Sequence, residues 1–115
     1  MGLDFNLCDA HWDYSGFNNF RKKLAEEIGI NLDEMDGFKD GGGLHWDKII
    51  DPIKYLLYHS DCDGELTVKK CIVVNKRLNE IIKDWDDSDY DKQQALLLVK
   101  GMKKAISKKV PLLFT

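Results

Sequence analysis

The sequence predicts a mainly α-helical protein that forms one domain over residues 1–115, with four principal helices and short extended segments at both termini that could pair. Two observations carry this prediction. Apolar residues recur at three- and four-residue spacing in four separate stretches, the pattern of helices with one buried face. With 115 residues, 43% of them hydrophobic, the chain can also bury a single core.

The first helix is predicted to follow Ser15 and to end at Gly29. A serine hydroxyl can accept a hydrogen bond from an unpaired amide of the first turn, so Ser15 is a suitable N-cap. Glycine is the residue that most often follows a helix C-terminus. The apolar stripe of this helix consists of Phe17, Phe20, Leu24 and Ile28.

Three more helices are predicted further along the chain. Asp51 and Pro52 suit the cap and first position of a short second helix. Thr67 can cap a long third helix, which is the most regularly periodic stretch. Ser88 can cap the fourth helix, which Pro111 must end. The apolar stripes of these helices are Ile53, Leu56 and Leu57; Val68, Cys71, Leu78 and Ile82; and Ala95–Val99, Met102, Ala105 and Ile106.

The segments between and beyond the helices give weaker signals. Residues 1–8 alternate apolar and polar side chains, which predicts a short strand, and residues 112–114 could form a second strand beside residues 3–7. Residues 36–43 are rich in glycine and aspartate. Such a loop is either a binding loop or an ordinary surface excursion, and the sequence does not decide between them.

Charge and cysteine content narrow the classes of partner and compartment. A net charge of −3 and a pI near 5.5 argue against a nucleic-acid partner, although a local basic stripe could still contact phosphates. The three cysteines are widely spaced, which is typical of reduced thiols in the cytoplasm. With neither a secretion-type amino terminus nor an apolar run of about 18 residues, we expect no membrane contact.

The triplet His-Trp-Asp occurs twice, at residues 11–13 and at residues 45–47. Each copy precedes a predicted helix. Aspartate suits a helix entry and tryptophan can pack ahead of it, so the recurrence is explained by capping or by chance.

The least ordinary stretch runs from His59 to Leu66 and joins the second and third predicted helices. When Gly64 is aligned with the glycine of a calcium-binding EF-hand loop, Asp61 and Asp63 take two ligand positions. The two ends of the loop do not match an EF-hand, because His59 and Lys70 stand where carboxylates are needed. We therefore favour a simple tight turn over a calcium site.

A transition-metal site is a second interpretation of the turn, since zinc and iron accept imidazole and carboxylate ligands. No pair of candidates has the spacing of a recognised site. Cys62 could also act as a nucleophile, but the neighbouring carboxylates disfavour its thiolate. The candidate metal ligands are His59, Asp61, Asp63, His11 and His45, with Cys62 and Cys71 as nearby thiols.

The turn His59-Ser60-Asp61-Cys62-Asp63-Gly64-Glu65-Leu66, with Ala10-His11-Trp12 and Ser15-Gly16-Phe17, resembles a family of small uncharacterised proteins from bacteria and their phages. The resemblance covers most of the chain and implies a phage or prophage origin. It implies no activity and no catalytic residue.

The function expected from these observations is that of a non-enzymatic module that binds another protein, without a cofactor. The alternative is a metal-dependent protein that uses the His59–Asp63 turn, with hydrolysis as a candidate activity. The sequence does not decide whether the protein forms a homo-oligomer. The expected binding surface consists of His59, Asp61, Cys62, Asp63, Trp12, Tyr14, His45 and Trp46.

Overall fold

The computed structural model describes residues 2–35, 45–58 and 64–115. These residues form a mainly helical domain with four α-helices, as predicted. They are α1 (Tyr14–Glu27), α2 (Lys54–Leu57), α3 (Val68–Ile82) and α4 (Tyr90–Lys108). Two short strands, β1 (Glu65–Leu66) and β2 (Leu112–Leu113), and two 3₁₀ turns, Leu32–Glu34 and Trp46–Lys48, complete the described elements. The predicted glycine-rich loop at 36–43 lies outside the described residues.

The helix α1 begins two residues earlier than a Ser15 cap would allow. Asp13 is the N-cap, and its carboxylate accepts a 2.6 Å hydrogen bond from the amide of Gly16. Ser15 instead donates to that same carboxylate at 3.3 Å. The prediction of Ser15 as the cap was wrong, because the carboxylate of the His11-Trp12-Asp13 triplet reaches the first-turn amide directly. The first triplet therefore caps a helix, whereas the 3₁₀ turn Trp46–Lys48 at the second triplet has no side-chain cap.

The helices α3 and α4 form the largest helix–helix contact of the described residues. Thr67 caps α3 as predicted, accepting a hydrogen bond from the amide of Lys70. Asp89, and not Ser88, caps α4, since its carboxylate accepts from the amides of Asp91 and Lys92. In the apolar run of α4, Ala95, Leu98 and Val99 are buried, but Leu96 is 43% exposed. The burial on several sides that the run predicted is therefore only partial.

The helix α2 is shorter than predicted. It begins at Lys54, two residues after the proline that was expected to open it. Asp51 still acts locally, because its carboxylate accepts from the amide of Ile53. That carboxylate also pairs with the guanidinium of Arg77 at 2.8 Å and so ties the start of α2 to α3.

The terminal segments pair, as the alternation of residues 3–7 suggested. Phe5 forms an antiparallel bridge with Phe114, and the amide of Asn6 donates to the carbonyl of Leu113 at 3.2 Å. The sequence did not indicate that a third segment joins this pairing. The strand β1 pairs antiparallel with β2, so the segment ahead of α3 joins the two termini.

The core surrounds Trp12, which is 1% exposed and stacks on Phe20 with ring centroids 4.6 Å apart. Phe5 and Phe17 pack against the same indole.

Within the described residues, no helix combines the length and the apolar character that a bilayer span requires.

Candidate interaction site

The His59–Asp63 turn lies outside the described residues, so the roles predicted for His59, Asp61, Cys62 and Asp63 stay predictions. The residue that follows the turn behaves as expected. Gly64 has φ 101°, a conformation that strongly favours glycine, and its carbonyl accepts a hydrogen bond from the amide of Phe114. The glycine of the turn is therefore required by the backbone.

A buried arginine holds the chain just ahead of the turn. The guanidinium of Arg21 donates to the carbonyl of Leu57 at 3.3 Å and to the side chain of Asn18 at 3.2 Å. It also lies 5.0 Å from the ring centroid of Phe17. These contacts fix the carboxyl end of α2 against α1, so the residues that enter the turn start from a defined position.

Trp12 was expected on the binding surface, and that prediction was wrong. Its indole is buried in the core and donates through Nε1 to Asp91 at 2.9 Å. Tyr14, at the start of α1, is 36% exposed and remains accessible. The aromatic residue of the first triplet is therefore structural, since the bridge between Leu3 and Trp12 turns the indole inward.

His11 is held by side chains from α4 and from the N-terminal segment. Its Nδ1 lies 2.8 Å from Asp4 Oδ1, its amide donates to Gln94, and its carbonyl accepts from the hydroxyl of Tyr90. With Tyr90 and Asp91, His11 lines a depression of about 280 Å³. The backbone of His11 thus connects the N-terminal segment to α4, while its imidazole contacts Asp4 within that segment.

His45 and Trp46 lie in a different part of the fold. His45 is exposed and precedes Trp46, whose indole is 8% exposed and packs on Tyr58 with ring centroids 5.3 Å apart. No group of three His, Cys, Asp or Glu side chains in the described ranges is arranged to hold a metal ion. The described residues therefore add no support to the metal interpretation.

The thiols outside the turn are shielded. Cys71 is fully buried on the inner face of α3, and its Sγ lies 3.5 Å from the carbonyl of Leu66. Burial raises the pKa of Cys71 and also that of Cys8, which is half-buried beside α4. Both sulfurs are accordingly held as neutral thiols at pH 7, which disfavours metal ligation and nucleophilic attack.

Trp46 and Tyr58 form one wall of a cleft of about 440 Å³ between α2 and the first turn of α3. Two lysines complete it. The Nζ atoms of Lys54 and Lys70 lie 5.5 and 5.1 Å from the ring centroid of Tyr55. We call this the aromatic–lysine cleft, and its lining consists of Trp46, Asp47, Lys54, Tyr55, Tyr58 and Lys70.

The cleft combines flat apolar surface with positive charge. Tyr58 is 57% exposed, so a large part of its ring is available to a ligand. The two ammonium groups outnumber the single carboxylate of Asp47. Such an arrangement can take an apolar side chain against the rings and hold a carboxylate near the lysines.

Sequence reasoning found Trp46 but missed the lysines and Tyr55. Tyr55 and Tyr58 flank the apolar stripe of α2 at three-residue spacing, a signal of two aromatic rings on one side of the helix. In the sequence, the only signal at Lys70 is that it stands where a calcium loop needs a carboxylate. Its ammonium faces Tyr55 in the cleft.

Comparison of the sequence with known protein families, with characterised proteins and with solved structures finds no match in any of the three.

Proposed function

We propose that this chain acts by binding another protein, not by catalysis, and that it holds an acidic segment of that partner in the aromatic–lysine cleft. The single observation that carries the proposal is the exposed Tyr58 ring packed on Trp46 beside two lysines. Tyrosine and tryptophan are enriched among the residues that dominate binding energy at protein interfaces.

The chemistry of the cleft supports a particular kind of partner segment. An aromatic or branched aliphatic side chain would lie against Trp46 and Tyr58 and remove apolar surface from water. Aspartate or glutamate side chains beside it would approach Lys54 and Lys70. A partner with both features gains from the lysines in orientation and association rate more than in affinity.

The overall charge of the chain agrees with this choice of partner class. The whole chain carries a net charge of −3, so a long polyanion would be repelled by most of the surface. A short acidic segment meets the local charge of the cleft, where two lysines outnumber the single carboxylate of Asp47. The bacterial or phage origin that the resemblance implies remains part of the proposal and adds no activity to it.

The test is selection of peptides from a random displayed library against the folded chain. We expect the selected peptides to share an apolar side chain flanked by Asp or Glu. Tyr58→Ala and the double variant Lys54→Glu/Lys70→Glu should each weaken binding of a selected peptide about tenfold or more, measured by fluorescence anisotropy.

Two matched variants serve as controls. Tyr14→Ala removes an exposed tyrosine outside the cleft, and Lys69→Glu reverses an exposed charge next to Lys70 in sequence. Both should bind the selected peptide like the unmodified chain. Selection of peptides without acidic residues, or equal losses in the control and cleft variants, would refute the proposal.

A further inference from the structure

Charge is strongly segregated along the last third of the chain. Residues 84–91 contain five aspartates and no basic residue, whereas residues 92–115 contain six lysines and no acidic residue. The rest of the chain, residues 1–83, therefore carries 11 of the 17 basic and 15 of the 20 acidic residues. We call residues 84–91 the aspartate segment, and its last two residues are the first two of α4.

The four lysines in the second half of α4 lie on its exposed side, whereas Lys92 in its first turn is buried. Lys100, Lys104 and Lys108 follow one another at four-residue spacing, which gives a rise of about 6 Å from each to the next. Among the described residues, none of them pairs with a carboxylate. We call the exposed lysines of α4, which are Lys100, Lys103, Lys104 and Lys108, the lysine face.

Three of the five aspartates in the aspartate segment are accessible to a partner, whereas Asp89 and Asp91 pair with Lys23. Asp84 and Asp86 are exposed. Asp87 accepts a hydrogen bond from Lys92, yet its side chain is 95% exposed. Opposite charges thus stand towards the two ends of α4, since Asp91 in its first turn precedes Lys100 by about 14 Å and Lys108 by about 25 Å along the helix axis.

An exposed apolar residue lies between the two charged regions. Leu96 is 43% exposed and Leu97, beside it, is half-buried. Asp86 lies ten residues before Leu96, whereas Lys104 and Lys108 lie seven and eleven residues after Leu97. The leucines therefore mark the midpoint between the negative and the positive region.

From this symmetry we infer that α4 binds the α4 of a second copy of this chain in antiparallel orientation, about a twofold axis that passes near Leu96. In that arrangement the aspartate segment of each copy faces the lysine face of the other. The same surface serves both copies, which is the condition for a closed dimer. Each ionic contact then occurs twice.

Charge complementarity selects this occupant over a nucleic acid. A phosphate backbone would meet the lysine face but would also meet the aspartate segment on the same helix, where like charges repel. A second copy satisfies both regions at once. The apolar contribution of the leucines is small, so the dimer is expected to be weak and sensitive to salt.

The first test is the molar mass in solution by sedimentation equilibrium. The dimer should be populated in about 20 mM NaCl, with its Kd raised about tenfold or more in about 500 mM NaCl. Reversing the lysine face with Lys104→Glu/Lys108→Glu should give a monomer. Reversing the aspartate segment with Asp84→Lys/Asp86→Lys should also give a monomer, while an equimolar mixture of the two variants should regain the mass of a dimer.

A cross-link locates the axis and does not depend on the charge variants folding well. Leu96→Cys should form a disulfide-linked dimer under mild oxidation, because residue 96 of one copy lies close to residue 96 of the other. Lys76→Cys, an exposed position on α3, is the matched control and should stay unlinked beyond the level of the unmodified chain.

Three results would overturn the inference. One is a monomer at all concentrations in low salt. Another is a dimer whose mass is indifferent to both charge reversals. The third is a monomer that binds a single-stranded oligonucleotide and loses it on Lys104→Glu/Lys108→Glu, which would make the lysine face a surface for polyanions.

Discussion

The indole Nε1 of Trp12 donates a 2.9 Å hydrogen bond to Oδ1 of Asp91, which joins the segment ahead of α1 to the first turn of α4. The other oxygen of the same carboxylate accepts from Lys23 Nζ, also at 2.9 Å. One aspartate thus connects three parts of the fold: the N-terminal segment, α1 and α4. It also adds negative charge near the positive end of the α4 dipole.

Replacing Asp91 with alanine should destabilise the protein by about 2–3 kcal/mol, because a buried indole N–H loses its acceptor and Lys23 loses one of its two carboxylates. Urea denaturation measures the change. Asp84→Ala, at an exposed position without such contacts, should change stability by no more than about 0.5 kcal/mol. If the effects of Trp12→Phe and Asp91→Ala proved strictly additive in a double-mutant cycle, the Trp12–Asp91 hydrogen bond would make no contribution to stability.

A buried lysine stabilises the connection between α3 and α4. Lys92 is 8% exposed, and its Nζ donates to the carbonyls of Trp85 at 2.7 Å and Lys83 at 3.3 Å. Lys92→Met keeps the length of the side chain but removes the donor, and should cost about 2 kcal/mol. Thermal unfolding of this variant and of Lys76→Met, an exposed lysine on α3, makes the comparison.

The partner that matters to Lys92 can be identified as well. Its 2.8 Å contact with Asp87 involves a side chain that is 95% exposed, where water weakens ionic interactions. Asp87→Ala should therefore be nearly neutral. A loss as large as that of Lys92→Met would instead assign the stabilisation to the ion pair.

The helices could be predicted because their apolar residues recur with the helical period, and tertiary contacts reinforce that pattern. The caps were harder. Ser15 and Asp13 both carry side-chain acceptors, and only the approach of Asp13 to the amide of Gly16 decides between them. The same holds for Ser88 and Asp89, where the contact of Asp89 with Lys23 adds a long-range reason.

The candidate site was predicted only in part. The two His-Trp-Asp triplets look alike in sequence, yet Trp12 is enclosed by the core and Trp46 lines a cleft. The difference arises from the pairing of residue 3 with residue 12, which depends on the whole fold. The meeting of Lys54 and Lys70 at Tyr55 likewise joins residues from two helices, so no local pattern contains it.

Gly101 is required by the close packing of α4 against the N-terminal segment. A Cβ at this position would lie 2.8 Å from Sγ and 2.9 Å from Cβ of Cys8. Gly101→Ala should therefore destabilise the protein, although alanine in a helix interior is favoured by up to about 1 kcal/mol. Calorimetry should show the loss relieved in part by Cys8→Gly, with Ser107→Ala as the exposed control in the same helix. A stabilised Gly101→Ala would mean that the two segments separate at little cost.

The pair of Lys23 and Asp89 gives stability a defined pH dependence. The hydrogen bond from Lys23 to Oδ2 of Asp89, 3.0 Å long, lowers the pKa of Asp89 below its ordinary value of 3.8. The stabilisation from a lowered carboxyl pKa is present above that ordinary value and is lost as the pH falls through the folded-state pKa. For Lys23, burial opposes the charge, but the hydrogen bonds to Asp91 and Asp89 outweigh it and raise the pKa. Its contribution is therefore lost only as the pH rises above 10.5.

Asp89→Asn tests this dependence, because asparagine is also a good N-cap and leaves the cap hydrogen bonds of α4 in place. The variant should be less stable than the unmodified chain at neutral pH. The difference in free energy of unfolding should stay constant down to about pH 5 and then close below about pH 4, as Asp89 becomes protonated in both states. Denaturant titrations across this range measure it. A difference that persists unchanged into strong acid would show that Asp89 acts through its shape and not through its charge.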